Sequence, residues 1–408
     1  MHTWQSRIRA GMIRVVRSIL FLVTLVVGTT AVMLMGETSG LALADLSNAT
    51  VKAVTVADDQ VMYAALQGGP QADGIYRSDD KGLTWQRVSS GPDGVLTALV
   101  AHHTNPETLF AGTEGGPVTT TNNLWRSYDS GKTWQKLFIS LPAHPDGLVP
   151  AVTTLAIDDT QPYKLFIGTA DSGVYLFDIG ADGHGYRLVG GVSGHQMHIK
   201  DLVVGERNRV YALTDEGLFV SGDVEAWYAL TLPAERPIAI ATSTNAIYAA
   251  AESGAIYYSS NGGQDWTQIG GNWPAVSEAK LQATALTVDK KNQNHAVVST
   301  AYVIGGQLVG GSIYETYNAG SEWIKIAEAN GVVDELLLNS DIIYGVSPTG
   351  LRPYQIPMDS DTGSFLGPLG FPVRLNYAQI LVIVLTSGLA GIILFGRLDW
   401  VHLLQTAA

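Results

Sequence analysis

The chain has 408 residues, enough to bury a large core, and its 45 glycines, 17 tyrosines and 9 tryptophans against 15% charged residues favour many short strands over a helical bundle. It has no cysteine, which removes disulfides, thiolate metal sites and a cysteine nucleophile. Net charge is −13, and setting aside Arg7, Arg9, Arg14, Arg17, Arg374, Arg397 and Asp399 leaves 18 basic against 36 acidic residues, so the middle of the chain carries −18 and repels nucleic acid and anionic membrane surfaces.

Residues 1–17 contain four arginines and no acid, and Ser18 to Met35 follows as eighteen residues without a charge. This pattern predicts a cytoplasmic basic N-terminus and a signal anchor or signal peptide over 18–36. Ala42-Leu43-Ala44 fits a small-x-small cleavage site, which leaves both anchor and removable signal open.

From 45 to 357 one phrase returns seven times, an aliphatic and an aromatic followed by small residues. The copies are Met62-Tyr63-Ala64-Ala65, Leu109-Phe110-Ala111-Gly112, Leu165-Phe166-Ile167-Gly168, Val210-Tyr211-Ala212-Leu213, Ile247-Tyr248-Ala249-Ala250, Ala296-Val297-Val298-Ser299 and Ile343-Tyr344-Gly345-Val346. Counted at the aromatic position, spacings run 47, 56, 45, 37, 49 and 47, the length of a propeller blade. An apolar strand precedes each phrase, a third strand follows, and most copies close with a fourth. The expected fold is all-β, a seven-bladed β-propeller. The seventh copy thins out after Gln355, which keeps six blades as the alternative and makes Asp45 to Thr50 a candidate closing strand.

The turn between third and fourth strands carries the most specific signature. Ser78-x-Asp80-x-Gly82-x-Thr84-Trp85 and Ser127-x-Asp129-x-Gly131-x-Thr133-Trp134 are full copies of S-x-D-x-G-x-T-W. Drifted copies follow at Ser259, Asn261, Gly263 and Trp266, and at Thr316, Asn318, Gly320 and Trp323. Ser and Asp side chains can bond the turn backbone, Gly takes a positive φ, and Trp packs beside the next blade. Two blades are expected to lack the turn: Phe177 to Tyr186 is irregular, and Ser221 to Trp227 is one residue short.

On these motifs the region resembles the Asp-box, or BNR-repeat, β-propellers. That superfamily includes sialidases, sortilin-type receptors, xyloglucan-degrading enzymes and the photosystem II assembly and stability factor type, to which the layout is most similar. The resemblance implies a fold and a docking platform; the motif itself carries no activity. Sialidase-like chemistry would need three clustered arginines with a Tyr-Glu pair and an acid, and the early Arg-Ile-Pro element of that family is missing.

Loops from a fourth strand to the next first strand, and from second to third strands, share one face of such a ring. That face gathers the binding candidates His144, Asp146, His195, His198 and Trp273, and the long loops Gly112 to Asn123 and Val303 to Gly311. A soft-metal reading of His195, Met197 and His198 lacks a carboxylate to orient the imidazoles, so no metal and no cofactor is predicted.

Beyond the propeller, 358–373 reads as a linker rich in Gly, Pro, Ser and Asp. Tyr377 to Phe395 is nineteen residues without a charge, between Arg374 and Arg397 and with Tyr377 and Trp400 as interface aromatics. A transmembrane helix is expected over 375–396, and a short cytoplasmic tail over 397–408. The expected protein sits in the cytoplasmic membrane with its propeller on the extracytoplasmic side, touching the bilayer through two hydrophobic segments. It serves as a non-catalytic scaffold or assembly factor whose partner is a membrane protein complex or another extracytoplasmic protein. A glycan-active hydrolase of sialidase-like fold and a sensor or receptor ectodomain are the alternatives.

Overall fold

The computed structural model describes residues 50–355 apart from breaks at 68–72, 118–123, 138–140, 142–146, 159–160, 179–188, 191–197, 207, 234, 244–245, 272, 274–279, 330, 340–341 and 348–349, together with the short strands at 41–42, 365–366 and 372–373. The apolar segments 18–36 and 375–396 lie outside the described residues. Among the described residues no helix is long and apolar enough to cross a membrane.

The chain divides into two compact units, one of Gly40–Pro357 and one of Met1–Ser39 with Met358–Ala408. In the second unit, Phe365–Leu366 pairs antiparallel with Pro372–Val373, inside the stretch expected to be a plain linker.

Gly40–Pro357 is an all-β, seven-bladed propeller. Its blades are antiparallel meanders ordered from inner to outer strand. Blade 1 runs Thr50–Val56, Met62–Gln67, Gly74–Ser78 and Thr84–Ser89. Blades 2 to 6 begin at inner strands Leu96–His102, Val152–Asp158, Ile199–Val204, Pro237–Ser243 and Lys280–Val288. Blade 7 has three described strands, Glu335–Asn339, Ile342–Ser347 and Gly350–Gln355. Thr50 is the first residue of the blade 1 inner strand and so does not complete blade 7, while 43–49 lie outside the described residues. Leu41–Ala42 instead adds a fifth strand to blade 1, with Leu41 opposite Trp85.

The seven repeated phrases are the seven second strands. Their aromatic-position residues Tyr63, Phe110, Phe166, Tyr211, Tyr248, Val297 and Tyr344 are all buried. A blade exposes two sheet faces that it cannot cover alone, and the apolar residues accordingly form seven separate clusters, each shared by two neighbouring blades. One of them joins Val51, Val54, Met62 and Trp85 of blade 1 to Ile342, Tyr344 and Leu351 of blade 7, which closes the ring.

The tyrosine hydroxyls add a second link. Tyr63 donates to Pro106 O of blade 2 at 2.9 Å, Tyr248 donates to Gln293 O of blade 6 at 2.5 Å, and Tyr344 donates to Lys81 O of blade 1. The last of these bonds spans the junction between chain-end and chain-start blades.

The turns between third and outer strands share one bonding scheme. Ser78 Oγ accepts from Gly82 N at 2.7 Å and donates to Asp80 Oδ1 at 2.8 Å, and Asp80 accepts from Thr84 N at 2.8 Å. Ser127 and Asp129, Ser259 and Asn261, and Thr316 and Asn318 repeat it. Blade 4, expected to lack the turn, keeps it in shortened form. Val224 N donates to Ser221 Oγ at 2.8 Å, Asp223 Oδ1 accepts from Glu225 N and Ala226 N, and Trp227 Nε1 donates to Val224 O. Val224 takes the place of glycine at φ +68°, a strained conformation for a β-branched residue that its burial among the blade 3 and blade 4 apolar residues offsets. The blade 3 turn, Phe177 to Tyr186, falls largely outside the described residues.

Candidate docking face and central channel

Seven inner strands surround the channel, and six of them bulge at one register level. The extra residues are Lys52, Thr97, Thr153, Lys200, Ile238 and Thr284. A bulge sharpens local twist and re-aims side chains, so the six bulges mark one common level along the inner strands. Two of them also join blades: Thr97 Oγ1 donates to Val152 O at 2.5 Å and Thr153 Oγ1 to Ile199 O at 2.7 Å.

The next position carries Ala53, Ala98, Thr154, Ala239 and Ala285 in five blades, but Asp201 in blade 4 and Glu335 in blade 7. Blades 4 and 7 lie across the ring from each other, so two carboxylates face one level of the channel. Burial raises Asp201 to about 6, against the bond its Oδ1 accepts from Leu202 N at 2.8 Å. Burial also raises Glu335, to about 8, and the Asp201 charge adds to the effect. Glu335 keeps contact with solvent, which hydrates its charged form and works against that rise.

On the same face Lys200 Nζ meets Asp215 Oδ1 at 2.8 Å. That hydrogen bond, with His198 and Arg236 nearby, holds Asp215 below the usual carboxylate range. The loop expected over Val303 to Gly311 is a hairpin: the second strand of blade 6 runs on to Ile304 and pairs with Gln307–Val309. Gly305 and Gly306 take φ +59° and +80°, as a two-residue type I′ turn requires. Ile304 is 57% exposed, and Leu308 and Val309 are exposed beside it. The described part of the Gly112 to Asn123 loop is also built, with Gly116–Pro117 pairing with Leu148–Val149. Gly115 passes so close to Val149 O that a Cβ there would sit 2.4 Å from it. Leu148 projects from this small sheet into solvent.

Of the binding candidates, His144, Asp146 and His195 lie outside the described residues. His198 Nδ1 lies 2.9 Å from Ala170 O and donates to it in the tautomer protonated at Nδ1, which ties the ring to the blade 3 loop. Trp273 is half-buried: its Nε1 donates to Gly254 O at 2.8 Å, and its ring lies 4.5 Å from Tyr314 and 5.8 Å from Trp323. It is thus a cap between blades 5 and 6 and not a free-standing side chain. Among the described residues no three His, Asp or Glu side chains are grouped to hold a metal ion. The reading of single motifs missed Asp201 and Glu335; aligning the seven inner strands exposes them as the two acids at a position of small residues.

Comparison with known proteins places this geometry. Residues 164–344, somewhat under half of the chain, match the DUF6242 beta propeller domain. YCF48 bound to a D1 peptide is similar at 14% identity and TM-score 0.54, over 78% of this chain and 97% of that one. YCF48 from Cyanidioschyzon merolae gives 14% and 0.53, over 75% and 96%. An ancestral GH74 enzyme gives 15% and 0.53, over 78% of this chain and 46% of that enzyme. In sequence, 71 residues are 38% identical to the vacuolar protein sorting/targeting protein 10 of Sordaria macrospora, covering 17% of this chain and 4% of that protein. At such identities the structural likenesses establish the propeller fold. The chain matches a small fraction of its curated relatives' length.

Proposed function

We propose that this protein is a non-catalytic, membrane-anchored propeller that holds another protein on the face carrying the blade 6 hairpin. The observation that carries the reading is the hairpin itself, a hydrogen-bonded ribbon with Ile304, Leu308 and Val309 turned to solvent. Isolated exposed apolar residues are ordinary on a surface, but three on one preformed projection provide contact area at little ordering cost. The likeness to YCF48 in complex with a D1 peptide supports peptide or protein binding on this fold. The Ser-x-Asp-x-Gly turns support the Asp-box assignment of the ring.

The same reading places the propeller outside the cytoplasmic membrane, with 18–36 retained as an anchor. Leu41–Ala42 pairs with blade 1, and cleavage after Ala44 would remove that strand. Amino-terminal sequencing of the mature protein checks this; a chain starting at residue 45 would count against the anchor.

Mild crosslinking in intact membranes followed by affinity purification should recover a defined complex with the full chain. Replacing Ile304, Leu308 and Val309 together by serine should lower that recovery at least tenfold with the melting temperature unchanged. Equal recovery with the triple variant would refute the docking role.

One observation favours a second reading, a glycan-active hydrolase. Asp201 and Glu335 are two carboxylates with raised pKa values facing one channel, and a general acid needs such an environment. Turnover of a glycoside panel that disappears in Glu335→Gln would establish it in place of the scaffold.

A further inference from the structure

The position just before the Ser/Thr of the turn motif is charged in blades 1, 2 and 6, as Arg77, Arg126 and Glu315. Two of the three are neutralised locally. Arg77 pairs with Asp79 at 2.6 Å, donates to the Tyr63 hydroxyl at 3.1 Å and to Ser130 Oγ at 2.5 Å, and lies within electrostatic reach of Glu107. Glu315 accepts from His295 Nε2 at 2.8 Å. Arg126 is 8% exposed, and its buried Nε and Nη1 have no hydrogen-bond partner.

The repeat explains why. In place of Asp79 stands Tyr128, whose ring lies 4.2 Å from Arg126 Cζ. In place of Tyr63, with its hydroxyl, stands Phe110, and in place of Glu107 stands Tyr163. Three of the groups whose oxygens face Arg77, those of Asp79, Tyr63 and Glu107, are replaced at the matching positions by aromatic rings, and the counterpart of Ser130 falls outside the described residues. Stacking on Tyr128 compensates part of the charge but leaves the in-plane donors unmet. Burying a guanidinium with unpaired N–H groups costs stability, so its retention in an aromatic setting calls for an acceptor from outside.

We infer that Arg126, stacked on Tyr128, with Tyr163 at the repeat position that Glu107 holds beside Arg77, is a receptor for a carboxylate group of a bound peptide, on the face opposite the hairpin. The guanidinium fork matches a carboxylate in its own plane. A single cation among tyrosines suits a monoanion joined to apolar atoms, whereas a phosphate dianion would need further positive charge that a domain of −18 does not offer. Tyr128 and Tyr163 are 49% and 45% exposed, so both present ring surface to an arriving chain.

The test uses the full-length protein and N-acetylglutamate α-amide as probe, with N-acetylglutamine α-amide and inorganic phosphate as comparators. The arginine Nε–Hε NMR signals report on both guanidinium groups, with Arg77→Lys identifying the Arg77 signal. The Arg126 signal should shift with the glutamate probe and not with the glutamine one, while Arg77, already saturated by Asp79, stays in place. Tyr128→Asp restores in blade 2 the acid that blade 1 has, so it should raise the melting temperature and abolish the probe response. No shift at Arg126, an equal shift at Arg77, a larger response to phosphate, or a Tyr128→Asp protein that melts lower and still responds would each overturn the assignment.

Discussion

At the residue scale, the repeated tyrosine does two things with one side chain. Its ring fills the space between blades, and its hydroxyl bonds a backbone carbonyl of the next blade. Tyr248→Phe and Tyr344→Phe should each lower unfolding free energy by about 1 kcal/mol in urea titrations, because the ring stays and one hydrogen bond goes, and Tyr63→Phe should cost more because its hydroxyl also accepts from Arg77. A second residue of this kind is His295. It is buried in blade 6, bonded to Glu315 at 2.8 Å, 3.6 Å from Asp289 and stacked on Tyr317. Burial disfavours its charge, but the hydrogen bond and charge of Glu315, helped by Asp289, outweigh it and raise the pKa above 6.5. A raised folded-state pKa contributes stability that is complete below the unfolded value and is lost as pH rises through the folded one. The melting temperature of His295→Gln should therefore fall short of the parent at pH 5 and approach it at pH 9. Equal gaps at both pH values would remove the charged His295 from the account.

The element scale belongs to the turns and bulges. A serine or threonine hydroxyl and an aspartate or asparagine side-chain oxygen replace the backbone partners that a tight turn cannot supply, and they do so with the same spacing in four blades. In blade 2, burial opposes ionisation of Asp129, yet bonds from Thr133, Ser127 and Lys132 hold its pKa down to about 2. Its contribution is present above the unfolded value near 3.8 and fades as pH falls toward 2. Asp129→Ala should cost about 1–2 kcal/mol at pH 7 and much less at pH 2, read by chemical denaturation at both pH values. Blade 4 shows how the sequence signature under-reports the element. A search for S-x-D-x-G-x-T-W fails at Ser221 to Trp227 because one residue is missing and valine replaces glycine, yet the backbone reaches the same bonds by placing Val224 at positive φ. Local pattern misses it because neighbouring blades impose that conformation.

At the scale of the whole molecule, stability is a chain of seven similar boundaries closed on itself, so a change at one level of the ring is felt across the channel. Asp201 and Glu335 are 134 positions apart in sequence and electrostatically coupled in the fold. With pKa values raised in the folded state, both destabilise the ring as pH climbs above the ordinary carboxylate range, Glu335 by less than full burial would give because its side chain meets solvent. Glu335→Gln should accordingly raise the melting temperature at pH 8.5 and leave it unchanged at pH 4. Asp201→Asn and Glu335→Gln should be non-additive in a double-mutant cycle at pH 8.5, since removing either charge relieves the other. Strict additivity would place the two groups out of contact.

The sequence by itself determined the all-β class and the turn chemistry of four blades and pointed to seven blades with six left open, because the aromatic phrase recurs seven times and the Ser/Thr-x-Asp/Asn-x-Gly spacing four times, and both are local. It also marked the blade 6 loop through its excess length. Trp273 shows the limit: beside a proline in a predicted loop it leaves both a partner anchor and a cap of the ring open, and packing against Tyr314 and Trp323 from another blade makes it a cap. The tertiary structure alone decided that Tyr344 closes onto Lys81, that Asp201 and Glu335 share a level of the channel, and that Arg126 lacks what its counterpart Arg77 has. Each of these depends on which residue of one blade meets which residue of another, and that registry exists only once the ring is closed.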